Sequence, residues 1–233
     1  MNNTLETFKN CLSGRKVIIM GNGPSLRKVD FNKLESSDVV TFCTNRINLI
    51  FKKTHWRPCF YSCFASAPLN CKEWRESVLE VTKNNSTICF LPSFFSFVNF
   101  SQDNIVKIEK VGEHYRHDPV PHNLFDTGPT ICVLKSFSAT VTMFQLCFYM
   151  GVKKIGIVGQ DGYLIDRESN HFTKEYVDTG SRKFKKINER IENVHNVLNK
   201  FAAKNEIDIK NLSNMSILNN YELCDLDYFL KDA

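Results

Sequence analysis

Val17-Ile18-Ile19-Met20-Gly21-Asn22-Gly23-Pro24-Ser25-Leu26 is the stretch on which the fold turns. Four consecutive apolar residues read as a strand buried on both faces. The glycines that follow let the backbone turn tightly and come close to a ligand, and Pro24 fixes the start of a helix. Amides exposed at such a turn attract an anion. The spacing is neither the G-x-G-x-x-G of dinucleotide folds nor the G-x-x-x-x-G-K-[ST] of P-loops, because Arg27-Lys28 follow Leu26 outside that frame. Two readings stand at this point: a ligand loop at the carboxyl end of a strand, or a plain strand–turn–helix.

The rest of the chain narrows the choice. Its 233 residues, 42% of them hydrophobic, suffice for one domain with a substantial core. Thirty basic residues are scattered among 25 acidic ones for a net charge of +5, which is no nucleic-acid stripe. That balance suits an anionic small substrate or a loosely attractive acidic membrane surface. The segment from Met1 to Arg15 is polar and lacks the apolar core of a signal peptide. No window reaches the roughly 18 uninterrupted apolar residues of a spanning helix. A soluble, cytoplasmic protein is the expectation. Nine cysteines, most of them within apolar runs, read as reduced and buried thiols. Cys59-x3-Cys63 with Cys71 has no second pair at matching spacing, so no zinc site is expected.

Strands and helices alternate along the chain. Strands are expected at Lys16–Met20, Asp38–Cys43, Pro58–Phe64, Thr87–Leu91, Asn104–Glu109, Lys154–Val158 and Ile207–Leu212. Helices are expected near Leu26–Leu34, Asn70–Lys83 and Thr130–Met150, the last closed by Gly151, and as a short turn at Leu226–Leu230. Phe184, Ile187, Ile191, Val194, Leu198 and Phe201 recur every three to four residues, an amphipathic helix. Phe90–Phe100 and Val111–Pro129 read as loops, and 164–181 has the polar composition of a small lid. The pattern predicts one α/β domain spanning 1–233, a Rossmann-like, mostly parallel sheet with helices on both faces.

In such a sheet the chemistry sits on loops at the carboxyl ends of strands. Four stretches meet that condition: Gly21–Ser25, Thr44-Asn45-Arg46, Gly159-Gln160-Asp161-Gly162-Tyr163, and Asn170-His171-Phe172 on the lid. Asn45 offers both donors and acceptors for a base or sugar hydroxyl. Arg46 faces a phosphate or carboxylate, or makes a surface salt bridge. Tyr163 donates to a leaving phosphate, or packs under the lid. A neutral imidazole at His171 removes a proton from an acceptor hydroxyl, or is simply solvated.

A strand followed by Gly-Asn-Gly-Pro-Ser-Leu, an Asn45 after the second strand, and a Gly-x-Asp-x-Tyr turn closing a later strand together resemble a known family. The chain is similar, from about Lys16 to Leu218, to the bacterial sialyltransferases of glycosyltransferase family 42. It also resembles a wider group that shares a 6-hydroxymethylpterin diphosphokinase-like domain. The resemblance implies a GT-A-like, Rossmann-related fold. It further implies sugar transfer from a nucleotide donor, CMP-sialic acid or a related acidic sugar, to a glycan acceptor. No metal ion and no cofactor beyond the donor are implied. Peripheral membrane association and homo-oligomers are habits of that family.

Residue by residue, the resemblance places Asn22, Gly23 and Ser25 in the donor pocket, with Asn45 touching the donor; Gly21, the first residue of the same turn, is taken as a donor-binding candidate with them. Gly159 and Asp161 match its nucleotide-side turn, and Tyr163 the tyrosine that steadies the departing phosphate. Ser138 falls near a Thr/Ser position before the long helix, for which Thr127-Gly128 is a competing match. The family's catalytic histidine lies much farther from the Gly-x-Asp-x-Tyr turn than His171 does, so His171 is a substitute by chemistry and not by alignment. Tyr176 similarly stands in for a second tyrosine, absent at Ser169. Direct displacement follows, with His171 as base and Tyr163, helped by amides near Gly21–Ser25, stabilising the phosphate. The alternatives are an ATP-dependent pterin-type pyrophosphoryl transferase and a non-catalytic nucleotide- or sugar-binding protein. The first needs magnesium held by carboxylates, and Phe64-Ala65-Ser66-Ala67 offers none after the third strand.

Overall fold

Along β1 (Lys16–Met20) the side chains alternate between two buried layers: Val17 and Ile19 join one core, Ile18 and Met20 the other. Burial on both faces is what a parallel sheet covered by helices requires. The computed structural model describes residues 4–109, 111–113, 133–135, 138–162, 170–176 and 184–231. To one side of β1 lie β2 (Val40–Thr44), β3 (Phe60–Ser62), β4 (Ile88–Pro92) and β5 (Ile105–Ile108). The short strands β6 (Val111–Glu113) and β7 (Val133–Lys135) pair separately, in parallel. To the other side of β1 lie β8 (Lys154–Val158), β9 (Asp208–Asn211) and β10 (Glu222–Leu223). The main sheet therefore has eight strands in the order β10-β9-β8-β1-β2-β3-β4-β5, every neighbouring pair parallel.

Helices cover both faces. On one, α1 (Phe31–Glu35), α3 (Lys72–Thr82, after the single turn of α2, Ala67–Asn70) and the later α6 (Leu226–Lys231) bring in Phe31, Trp74, Val78 and Phe229. On the other, α4 (Ala139–Tyr149) and α5 (Phe184–Lys204) bring in Val141, Phe144, Ile191 and Leu198. Each such side chain, fully buried, contributes roughly 1.5–3 kcal/mol. Gly151 takes φ +80° behind α4, and Val152 N–H reaches back to the Cys147 carbonyl (3.0 Å), the expected helix stop.

Several expected boundaries move. The helix expected over Leu26–Leu34 is two pieces, a 3-10 turn at Pro24–Lys28 and α1, because Asp30 caps a fresh start by accepting from Asn32 N–H (3.0 Å). The long helix begins at Ala139, and Val133–Lys135, expected within it, is a strand. The expected loop from Val111 opens with β6, and a further edge strand, β10, follows β9. Of the expected lid, residues 170–176 are described. Cys43, Cys63, Cys89 and Cys147 are buried, and desolvation pushes the Cys63 and Cys89 thiols up to about 12, so both stay protonated. No helix among the described residues is long and apolar enough to cross a membrane.

Candidate active site

The strands that follow β1 in the chain extend the sheet one way, whereas β8 and its successors extend it the other. The connections leaving the carboxyl ends of β1 and β8 therefore diverge, and a crevice opens between them. Two glycine turns form its floor. Gly21 N–H donates to the Val158 carbonyl (2.8 Å) and Gly23 N–H to the Gly159 carbonyl (2.7 Å). Gly159 N–H donates to Ser25 Oγ (3.0 Å), and Ser25 N–H to Asp161 Oδ2 (2.6 Å). Gly159 sits at φ +73°, and a Cβ there would strike the backbone of Gly21; a Cβ on Gly21 would strike Gly159 in turn. Only paired glycines allow this approach.

The joint corrects one expectation. The amides of Gly21, Gly23 and Ser25 do not stand ready for an anion, because each is already donated across the joint. Buried backbone donors must be satisfied, and here the two turns satisfy one another.

Above the joint lies a cavity of about 120 Å³. Gly21, Asn22 and Gly23 line it from β1, Thr44 and Asn45 from β2, and Gly159, Gln160, Asp161 and Gly162 from β8. Ser138, Ala139 and Thr140 at the start of α4, Ile191 of α5, and Asn170, His171 and Tyr176 complete the wall. Asn45 adopts φ +54°, a left-handed conformation that asparagine tolerates better than most residues. Tyr61 holds it there, donating its hydroxyl to the Asn45 carbonyl (2.7 Å); full burial pushes that hydroxyl's pKa well up. Asn22 Nδ2 donates to the Thr44 carbonyl (2.9 Å), tying the two loops together. Gln160 Nε2 donates to Ser138 Oγ (3.0 Å), which lies 2.5 Å from Thr140 Oγ1.

Residues 170–176 form a strap across this crevice. Phe172 N–H donates to the Asn22 carbonyl (2.9 Å). The His171 and Tyr176 rings stack with centroids 3.8 Å apart and planes at 19°. Trp74 of α3 meets Tyr176 edge-on at 5.6 Å. One turn along α5 from Ile191, His195 is fully buried beside Phe144, and burial holds its pKa down at about 3. Tyr221 Oη donates to the His195 carbonyl (3.1 Å) and lies 3.0 Å from Nδ1, an arrangement that fits a neutral ring protonated there.

Of the residues singled out in the sequence, Gly21, Asn22, Gly23, Asn45, Ser138, Gly159, Asp161, His171 and Tyr176 meet around the one cavity. Ser25 and Arg46 do not line it. Ser25 is buried behind the joint, and Arg46 turns its guanidinium towards Ser77 and Glu175. Tyr163 and Thr127-Gly128 lie outside the described residues. Gln160 and Asn170 lie within the stretches picked from the sequence but were given no role there; Thr140 and Ile191 were missed, and neither carries a local signal. Among the described residues, no three His, Cys, Asp or Glu side chains gather as a metal site.

No protein-family model matches the chain, and no curated protein matches it in sequence. Solved structures do match. The MAf glycosyltransferase of Magnetospirillum magneticum AMB-1 aligns with a TM-score of 0.54 at 13% identity, over 94% of this chain and 37% of that one. The sialyltransferase CST-II, as a variant with phenylalanine for one tyrosine and in complex with CMP, aligns with a TM-score of 0.51 at 18% identity. That match covers 90% of this chain and 85% of the other. The fold is one that glycosyltransferases use. The chain spans little more than a third of the MAf protein, and the parallel sheet with helices on both faces is the shared part.

Proposed function

We propose that the protein is a glycosyltransferase that binds a nucleotide sugar in the β1–β8 crevice and passes the sugar to a glycan hydroxyl by direct displacement. One observation carries this reading. Asn22, Asn45, Asp161, His171 and Tyr176, from four separated segments, converge on a single cavity at the switch point of a parallel sheet. The asparagines suit a base or sugar hydroxyls, since each offers donors and acceptors. The amino end of α4, with the Ser138 and Thr140 hydroxyls, suits a phosphate through its dipole and its amides.

A CMP-linked acidic sugar, such as sialic acid, is the favoured donor. Its leaving group is already a monophosphate, so its departure needs no second cation, and the CST-II structure that shares the fold is a CMP complex. In this reading His171 takes the acceptor's proton, and Tyr176 holds the imidazole plane by stacking on it. Tyr163 keeps the phosphate-steadying role that the family resemblance gives it. The reading is preferred to pyrophosphoryl transfer because Phe64-Ala65-Ser66-Ala67, at the carboxyl end of β3, presents no carboxylate for magnesium.

Thermal-shift titration with CMP-, UDP- and GDP-sugars, and with ATP with and without magnesium, tests the donor. A CMP-sugar at 100 times its Kd should stabilise the fold by about 2.7 kcal/mol. Stabilisation by magnesium-ATP alone would replace this reading with the kinase one, and no response to any nucleotide would remove it.

A further inference from the structure

Behind the glycine joint lies a second cavity, of about 400 Å³. It is bounded by the turn after β1, by the carboxyl ends of β8, β9 and β10, and by the start of α6. Its apolar lining of Val29, Val158, Leu212 and Leu226 belongs to the core on the α1–α6 side, whereas α4 and α5 wall the first cavity. Leu223 lines it too and is 59% exposed, so apolar surface lies open at the mouth. Ser25 stands between the two cavities, because its hydroxyl holds the Gly159 amide (3.0 Å). Sites for small molecules span roughly 300–1,000 Å³, a range that the second cavity meets.

The polar groups of this cavity lack acceptors, not donors. A hydroxyl carries one proton and two lone pairs. Ser25 Oγ accepts from Gly159 N–H, and Ser213 Oγ accepts from Met215 N–H (3.1 Å). Both serines are more than nine-tenths buried, and neither hydroxyl proton meets an acceptor among the described residues. A buried donor left unpaired costs free energy that a ligand oxygen recovers. Lys28 lines the same cavity, is exposed, and makes no ion pair among the described residues. The carboxylate on the wall, Asp225, is engaged elsewhere. Its Oδ1 caps α6, accepting from Asp227 N–H (2.8 Å) and Tyr228 N–H (3.2 Å), and Lys33 offsets its charge.

We propose that this cavity is a second binding site, separate from the β1–β8 crevice, for a small amphipathic anion. The apolar body lies on Val158, Leu212, Leu223 and Leu226, and a carboxylate head accepts from the serine hydroxyls and pairs with Lys28. A nucleotide sugar, polar over most of its surface, does not suit so aliphatic a lining. The site stands on its own residues and does not depend on sugar transfer in the first cavity.

Decanoate is the probe, with 8-anilinonaphthalene-1-sulfonate as its fluorescent competitor on the full chain. Decanoate should displace the dye from one saturable site, and CMP should not. Lys28→Glu and Leu223→Asp, at exposed positions that tolerate change, should each weaken decanoate by about 10-fold or more. Lys83→Glu makes the same change in net charge at an exposed position after α3 and should leave affinity unchanged. Phe94→Ser, which removes an exposed ring elsewhere, should also leave it unchanged. Co-sedimentation with phosphatidylglycerol vesicles that Lys28→Glu abolishes, without binding of free decanoate, would support the same chemistry with a lipid as its source. Binding in neither arm, equal affinity in Lys28→Glu and wild type, displacement by CMP, or loss in Phe94→Ser would overturn the site.

Discussion

The glycine joint and the strap close the same cavity from opposite sides, and they are held differently. At the joint, four amide donors cross between the loops after β1 and β8, and packing leaves no room for a single Cβ. At the strap, one amide, three guanidinium bonds, the edge-on Trp74–Tyr176 contact and a Lys52–Glu175 ion pair (3.7 Å) make the contact, with Phe172 and Tyr176 buried in the core. The first wall is part of the sheet and can only be fixed. The second is laid over it and is held by side chains, through arginine forks and two rings that reach the core.

That contrast can be broken at the joint with the largest effect. Gly21→Val puts a branched side chain into the Gly159 backbone and should cost about 3 kcal/mol or more in urea unfolding. A loss below about 1 kcal/mol would mean that the joint is looser than its geometry. A smaller effect lies beneath the cavity, at His195. Burial lowers its folded pKa from 6.5 to about 3, so the unfolded chain takes up the proton first. The contribution is fully present above pH 6.5 and drains as pH falls towards 3, about 2 kcal/mol of it by pH 5. Unfolding free energies that stay level from pH 7 to pH 5 would contradict a neutral, buried ring. The smallest effect belongs to the strap: Arg27 is exposed and bonds backbone carbonyls there, so Arg27→Ala should change global stability by less than about 0.5 kcal/mol. A large loss would make the strap part of the fold's frame and erase the contrast.

The two glycine turns were legible in the sequence, and the strap only as part of a lid over 164–181. Lys16–Met20 and Lys154–Val158 have the expected bounds because each is an apolar run stopped by glycine, a signal contained within a few residues. The edge strand β10 and the β6–β7 pair span two or three residues each, too few for a period to show. Asn45 and His171 were found by their chemistry. Their supports were not, because the bond from Arg27 to His171 spans 144 positions and the one from Arg46 to Glu175 spans 129. The saturated amides of Gly21 and Gly23 were misread for the same reason: their acceptors lie on β8 and its turn, and nothing near them in the chain announces it.

The central claim, that sugar transfer takes place in this cavity with His171 as base, is tested most directly by acceptor-dependent nucleotide release. With a CMP-sugar and a glycan acceptor, the wild-type chain should release CMP, and His171→Ala should do so about 10²-fold more slowly with donor affinity unchanged. Equal rates in the two proteins, or no acceptor-dependent release by the wild type, would contradict it.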